Sequence, residues 1–138
     1  MSLVLDASVA LKWFLAEDNR EEARGLLAGQ EPLVAPDLIV PEVLNGAWKA
    51  VRRNLIPAAQ VETIPQILPG CFFRLIPSSE LAERALIIAT ALNHPVYDCF
   101  YLAAAESEGV ILVTADTRLL KIVSKTVFAR IVRSLAGA

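Results

Sequence analysis

Leu3-Val4-Leu5-Asp6-Ala7-Ser8-Val9-Ala10-Leu11 opens the chain with three aliphatic residues, one acid and a second apolar stretch. Such a run reads as a buried strand passing straight into a helix. A lone carboxylate at that junction is costly to bury unless something compensates its charge. A bound cation is one such compensation. Further along, Val110 to Val113 forms the clearest buried strand, and Thr114-Ala115-Asp116 follows it. An acid again closes a short apolar run.

Between these two points strand-like and helix-like segments alternate. Ser8 to Leu15 reads as a short apolar helix, and Glu21 to Ala28 as a second one ended by Gly29. Leu33 to Ala35 is a short strand. A long helix starts at Asp37 or Pro41 and runs to Arg53; proline is tolerated in a first turn. Pro57 opens a helix that Pro69-Gly70 ends, and Phe72 to Ile76 is strand-like. Ser79 is expected to cap a helix from Glu80 to Leu92. Asp98 to Ser107 is a further helix stopped by Gly109, Asp116 to Leu120 begins a short one, and a last strand falls within Val127 to Leu135. Short apolar strands alternating with helices predict a single α/β domain, residues 1–138, with a parallel sheet covered on both faces.

The 138 residues are 55% hydrophobic, with a mean hydropathy of +0.50, enough to build a large core. Net charge is only −2, but the charges are unevenly spread. Lys49, Arg52 and Arg53 lie together without an acid. Arg118, Lys121, Lys125, Arg130 and Arg133 follow Asp116, again without one. Such runs supply local basic surface for phosphate, or simply solvated helix faces. Cys71 and Cys99 do not form a metal-ligand pattern and sit in apolar context, so free buried thiols and a reducing compartment are expected. Asp6 and Lys12 interrupt any N-terminal apolar stretch, so no secretory leader is expected. No run approaches the roughly 20 apolar residues of a membrane helix. The cytoplasm is the expected location.

Four acids then stand where loops converge. Asp6 and Asp116 follow strands, and in open α/β sheets ligands bind beyond the carboxyl ends of the strands. Glu42 follows Pro41 in the first turn of its helix, and Asp98 begins another after Asn93-His94-Pro95. Taken singly, Asp98 and Asp116 also read as helix caps. Glu42 also reads as an acid favoured by the helix dipole. Asp6 has the weakest such alternative. Together the four suit phosphodiester hydrolysis, in which magnesium or manganese held by carboxylates neutralises an anionic phosphate. Ser8 and Thr114 offer hydroxyls beside them. His94, before a proline, reads as a loop residue. A Gly-rich phosphate loop is absent, as are a second aspartate at Ser8 and a G-x-S-x-G elbow. These absences argue against nucleotide-binding, aspartyl-phosphatase and serine-hydrolase readings.

Four segments carry a resemblance: Val4 to Phe14, Pro41-Glu42-Val43-Leu44-Asn45, Tyr97 to Glu106, and Thr114-Ala115-Asp116-Thr117-Arg118-Leu119. In this order and spacing the chain resembles the PIN-domain ribonucleases, in particular the VapC-type toxins of toxin–antitoxin pairs. The resemblance implies a three-layer α/β/α sandwich with a central parallel sheet. It implies a magnesium- or manganese-dependent endoribonuclease with Asp6, Glu42, Asp98 and Asp116 as the acidic, metal-holding site. Ser8, Asn45 and Thr114 would be supporting polar positions. It further implies an RNA substrate, a VapB-type antitoxin that blocks the site, and a homodimer. Some family members carry a further acid where this chain has Arg118, a position that fits either a phosphate contact or a surface salt bridge. A non-catalytic PIN-like binding module and a stand-alone RNA-processing nuclease are the alternatives.

Overall fold

The computed structural model describes residues 1–137. Five strands, β1 (Leu3–Leu5), β2 (Leu33–Pro36), β3 (Arg74–Ile76), β4 (Ile111–Thr114) and β5 (Val132–Ser134), form one sheet in the order β3-β2-β1-β4-β5. Every pairing is parallel. Seven helices are present among the described residues: α1 (Ala7–Ala10), α2 (Arg20–Ala28), α3 (Ile39–Arg52), α4 (Ile64–Ile67), α5 (Ser78–Leu92), α6 (Val96–Glu108) and α7 (Thr117–Val123).

All residues of β1 and β2 are buried, so side chains on both faces of the central strands meet protein. That is the signature of a parallel sheet with helices on each side. The three-layer α/β/α expectation is met. Helix α6 crosses β1, β2 and β4 with Leu102 to Ala105 buried against the core. Leu5, Val9, Ile39, Leu112 and Leu119 complete its centre.

The topology places the site. From β1 the chain steps outward through β2 to β3, then returns to set β4 on the other flank of β1. The carboxyl ends of β1 and β4 therefore adjoin at the point where the winding reverses, the position open α/β sheets use for ligands. The register pairs Leu5 with Val113, so Asp6 and Thr114 emerge side by side.

Several local expectations need correction. The apolar helix after β1 is only one turn of α-helix, followed by a 3-10 turn at Leu11–Trp13. Helix α3 begins at Ile39, two residues before Pro41, whose missing N–H falls among first-turn donors that have no helical partner. The single helix expected between Pro57 and Pro69 is broken into a 3-10 turn (Ala58–Gln60), α4 and a second 3-10 turn (Leu68–Cys71). Pro65 and Pro69 each remove a donor there. Ser79 does not cap α5. That helix starts at Ser78, whose N–H and hydroxyl both donate to Asp37 Oδ1, at 3.0 and 2.5 Å. Helix α6 starts at Val96, so Asp98 is a first-turn residue and not its cap. The tail makes a 3-10 turn (Val127–Ile131) before β5. Both cysteines are free; Cys99 is buried and Cys71 half-buried. Trp13 is core, with its indole N–H donating to Ala23 O at 2.8 Å, whereas Trp48 stands half exposed.

Candidate active site

Asp6 is 4% exposed and accepts a hydrogen bond on every side the fold offers. Ser8 Oγ donates to Oδ1 at 2.5 Å, Val9 N–H donates to the same oxygen at 3.3 Å, and the Thr114 hydroxyl donates to Oδ2. The strand-to-helix turn makes the first two contacts, since Asp6 is the N-cap of α1. The parallel register makes the third. Both hydroxyls are held in turn. Ser8 Oγ accepts Ala115 N–H at 2.9 Å, and Thr114 Oγ1 accepts Asp116 N–H at 3.0 Å. Burial pushes the Asp6 carboxyl up to about 6, against the lowering pull of the Ser8 and Thr114 hydroxyls, and the charge of Asp98 raises it further.

Asp98, on α6, lies near enough for its charge to act on both Asp6 and Glu42, the latter on α3. Burial first, and then the Asp98 charge, raises the Glu42 carboxyl, opposed by a hydrogen bond from Tyr101. The Tyr101 hydroxyl donates to Glu42 Oε1 at 2.5 Å. Asp98 Oδ2 shares a hydrogen bond of 2.6 Å with His94 Nε2. Asp116 caps α7, accepting the N–H groups of Arg118 and Leu119 at 2.9 and 3.2 Å. It joins the group through its own N–H on Thr114.

Asp98 thus stands between the other two acids electrostatically, its charge raising both Asp6 and Glu42. Asp116 lies two residues beyond Thr114, its carboxylate turned to the start of α7. Among the described residues no three His, Cys, Asp or Glu side chains stand close enough to hold an ion as they are. The donor set nevertheless fits a hard cation. It is all oxygen, it repels itself, and no Lys or Arg among the described residues pairs with any of its members. Asp98 Oδ1 and Glu42 Oε2 carry no protein hydrogen bond among those residues. Of the supporting positions, Ser8 and Thr114 bind Asp6 directly, whereas Asn45 is exposed on α3. Arg118 is exposed and makes no salt bridge among the described residues.

Two neighbours of the candidate acids escape a sequence reading. His94 does lie in the loop before α6, as expected, but it is buried there and bonded to Asp98. Tyr101, 1% exposed, holds Glu42. The sequence offers a signal only for His94, which lies four residues before Asp98 in the loop that leads into α6; Tyr101 meets an acid 59 residues away, on α3.

The PIN domain family model matches residues 3–125. The chain belongs to the PIN-domain family. This PIN domain is 34% identical over 122 residues to Ribonuclease VapC3 of Pyrobaculum aerophilum, covering 86% of this chain and 92% of the relative. It is 35% identical over 117 residues to Ribonuclease VapC9 of Mycobacterium tuberculosis, covering 85% and 87%. A toxin–antitoxin complex from Klebsiella pneumoniae shares the fold, with a TM-score of 0.69 at 21% identity over 97% of this chain and 98% of that one. No helix among the described residues is long and apolar enough to cross a membrane.

Proposed function

We propose that this PIN domain is a magnesium- or manganese-dependent endoribonuclease that acts in the cytoplasm as the toxin of a toxin–antitoxin pair. A VapB-type antitoxin is its inhibitory partner and the active form is a homodimer. The observation that carries the catalytic reading is the trio of Asp6, Glu42 and Asp98 at the winding reversal of the sheet, each oriented by a buried neighbour. Relatives named VapC ribonucleases over most of the chain support the choice of RNA.

In this reading Asp6, Glu42 and Asp98 would hold the cation, and Asp116 would complete the acidic edge. The bound ion would supply charge neutralisation for the phosphate and a lowered pKa for water. The protein's part is to keep the acids ionised and aimed. Ser8 and Thr114 hold the Asp6 carboxylate by two hydroxyl donors, offsetting part of its burial. Tyr101 fixes one oxygen of Glu42 and leaves the other free, and His94 does the same for Asp98. Preorganised groups of this kind cost no rearrangement when the reaction occurs. In the hydrolysis itself the oxygen of water bonds to phosphorus, one ester P–O bond breaks, and a proton ends on the leaving ribose oxygen. Arg118, free on the surface at the start of α7, would contact a phosphate of the same strand.

The test is cleavage of a labelled RNA by purified protein in magnesium, in manganese and in EDTA, beside Asp6→Asn and Asp98→Asn. Each substitution is expected to slow cleavage at least about 100-fold, and EDTA to abolish it. Undiminished cleavage in EDTA, or by both variants, would overturn the reading.

A further inference from the structure

Helix α3 carries Glu42 at one end and a basic, aromatic surface at the other. Lys49 and Arg53 lie seven and eleven residues beyond Glu42, on the same helical face, about 10 and 16 Å along the axis. They form the shared wall of two adjoining crevices. One, of about 540 Å³, lies between α3 and the segment after α1, with Leu11 and Phe14 on its apolar side and Arg20 reaching in from α2. The other is lined by Trp48, Lys49, Arg52 and Arg53. Trp48 is 53% exposed, and Arg52 stacks on its ring with Cζ 5.4 Å from the centroid.

Among the described residues none of Arg20, Lys49, Arg52 and Arg53 enters a salt bridge, although Lys12, Arg74 and Arg84 all do. The α3 dipole favours cations in its last turn, which accounts for Lys49 and Arg52 alone. It accounts neither for an exposed tryptophan among them nor for Arg20. That arginine is the first residue of α2, where a helix dipole opposes a cation, and its Nε is buried without a hydrogen-bond partner. Three cations without a salt bridge beside an exposed aromatic ring, and a fourth in the adjoining crevice, are complementary to a chain that is anionic along its backbone and flat at its bases.

We infer that the C-terminal half of α3 with Arg20 is a docking track for single-stranded RNA leading to the acidic site, with Lys49, Arg53 and Arg20 on phosphates and Trp48 stacking a base. The inference rests on the ribonuclease reading for its direction of approach but is tested without catalysis. A fluorescent single-stranded RNA of about ten nucleotides is titrated in EDTA, by anisotropy, at several salt concentrations. Losing two phosphate contacts in Lys49→Gln/Arg53→Gln should lower the slope of log affinity against log salt by about 1.4, a loss of about 25-fold at 0.1 M salt. Trp48→Ala should weaken binding at least about fivefold, with Trp48→Phe recovering most of it. Arg84→Gln, which removes a cation already paired with Glu106, should change affinity less than about twofold.

Equal affinity and equal slope in wild type, the double variant and Trp48→Ala would overturn the track. So would unchanged RNA binding together with lost binding of an acidic, apolar peptide, which would give the surface to a protein partner. Wild-type protein that binds RNA through this surface yet never cleaves it would defeat the nuclease reading and leave the track standing. Cleavage with equal RNA affinity in every variant would do the reverse.

Discussion

Asp6 should make the metal-free protein less stable as pH rises, and replacing it should remove that loss. Folding raises its carboxyl from an ordinary 3.8 to about 6, so the folded chain holds this proton more tightly than the unfolded chain. The contribution is fully present below about pH 4 and is lost as pH climbs through about 6. At 1.36 kcal/mol for each tenfold change in proton affinity, the charged form costs about 3 kcal/mol at pH 8. Asp6→Asn removes the charge and keeps the shape. Its amide nitrogen, placed where Oδ2 stands, donates to Thr114 Oγ1, which already accepts from Asp116 N–H and can turn its own proton toward Ser8 Oγ, 3.4 Å away. In EDTA at pH 8 the variant should therefore be more stable than wild type by about 2–3 kcal/mol in urea denaturation, with the difference closing toward pH 4. Adding manganese should restore the wild type and leave the variant unchanged, because only the wild type then gains a compensating charge. Parallel stability profiles for the two proteins across pH 4–8, or a variant less stable at pH 8, would refute the reasoning.

Tyr101→Phe removes the hydroxyl that holds Glu42; it should cost about 1.5–3 kcal/mol by denaturant titration at pH 8, and an unchanged midpoint would show the contact to be idle. His94→Ala should weaken manganese affinity about 10–100-fold by isothermal titration calorimetry, with His94→Gln recovering part of the loss; an equal loss in both would mean that the ring is mere packing. Thr114→Val is nearly isosteric but withdraws a donor from Asp6 and an acceptor from Asp116 N–H. It should destabilise the metal-free protein by about 1–3 kcal/mol at pH 8, read as a lowered Tm, and a Tm equal to wild type would contradict the mesh of contacts around Asp6.

Much of the fold was legible because its signals are local. Leu3–Leu5 and Val110–Val113 read as buried strands because both runs are short and apolar, and strands form at Leu3–Leu5 and, one residue later than expected, Ile111–Thr114; Gly109, at φ 67°, ends α6 where a left-handed residue is required. The positions of the candidate acids were legible for the same reason: each sits beside a strand end or a helix start that can be located from its own neighbours. Contacts across the chain were not. Asp37, from the loop after β2, supplies the cap expected of Ser79, and nothing near Ser78 announces it. The contacts of His94 and Tyr101 are not legible, because they depend on which way α6 faces, which tertiary packing decides. Trp48 has the same neighbours in sequence as a core residue, and only the placement of α3 leaves it in solvent.

Helix α6 also has an anchorage. Its first two turns hold Asp98 and Tyr101, while its far end is tied by Glu106 to Arg84 of α5 and by Glu108 to Arg74 of β3. Buried alanines at positions 103 to 105 let the whole rod lie close against the strands. Asp98 and the partner of Glu42 therefore ride on one stiff body. A macromolecule that levered α6 from the sheet at its distant end would draw both away together, and the acids would be uncoupled without ever being touched.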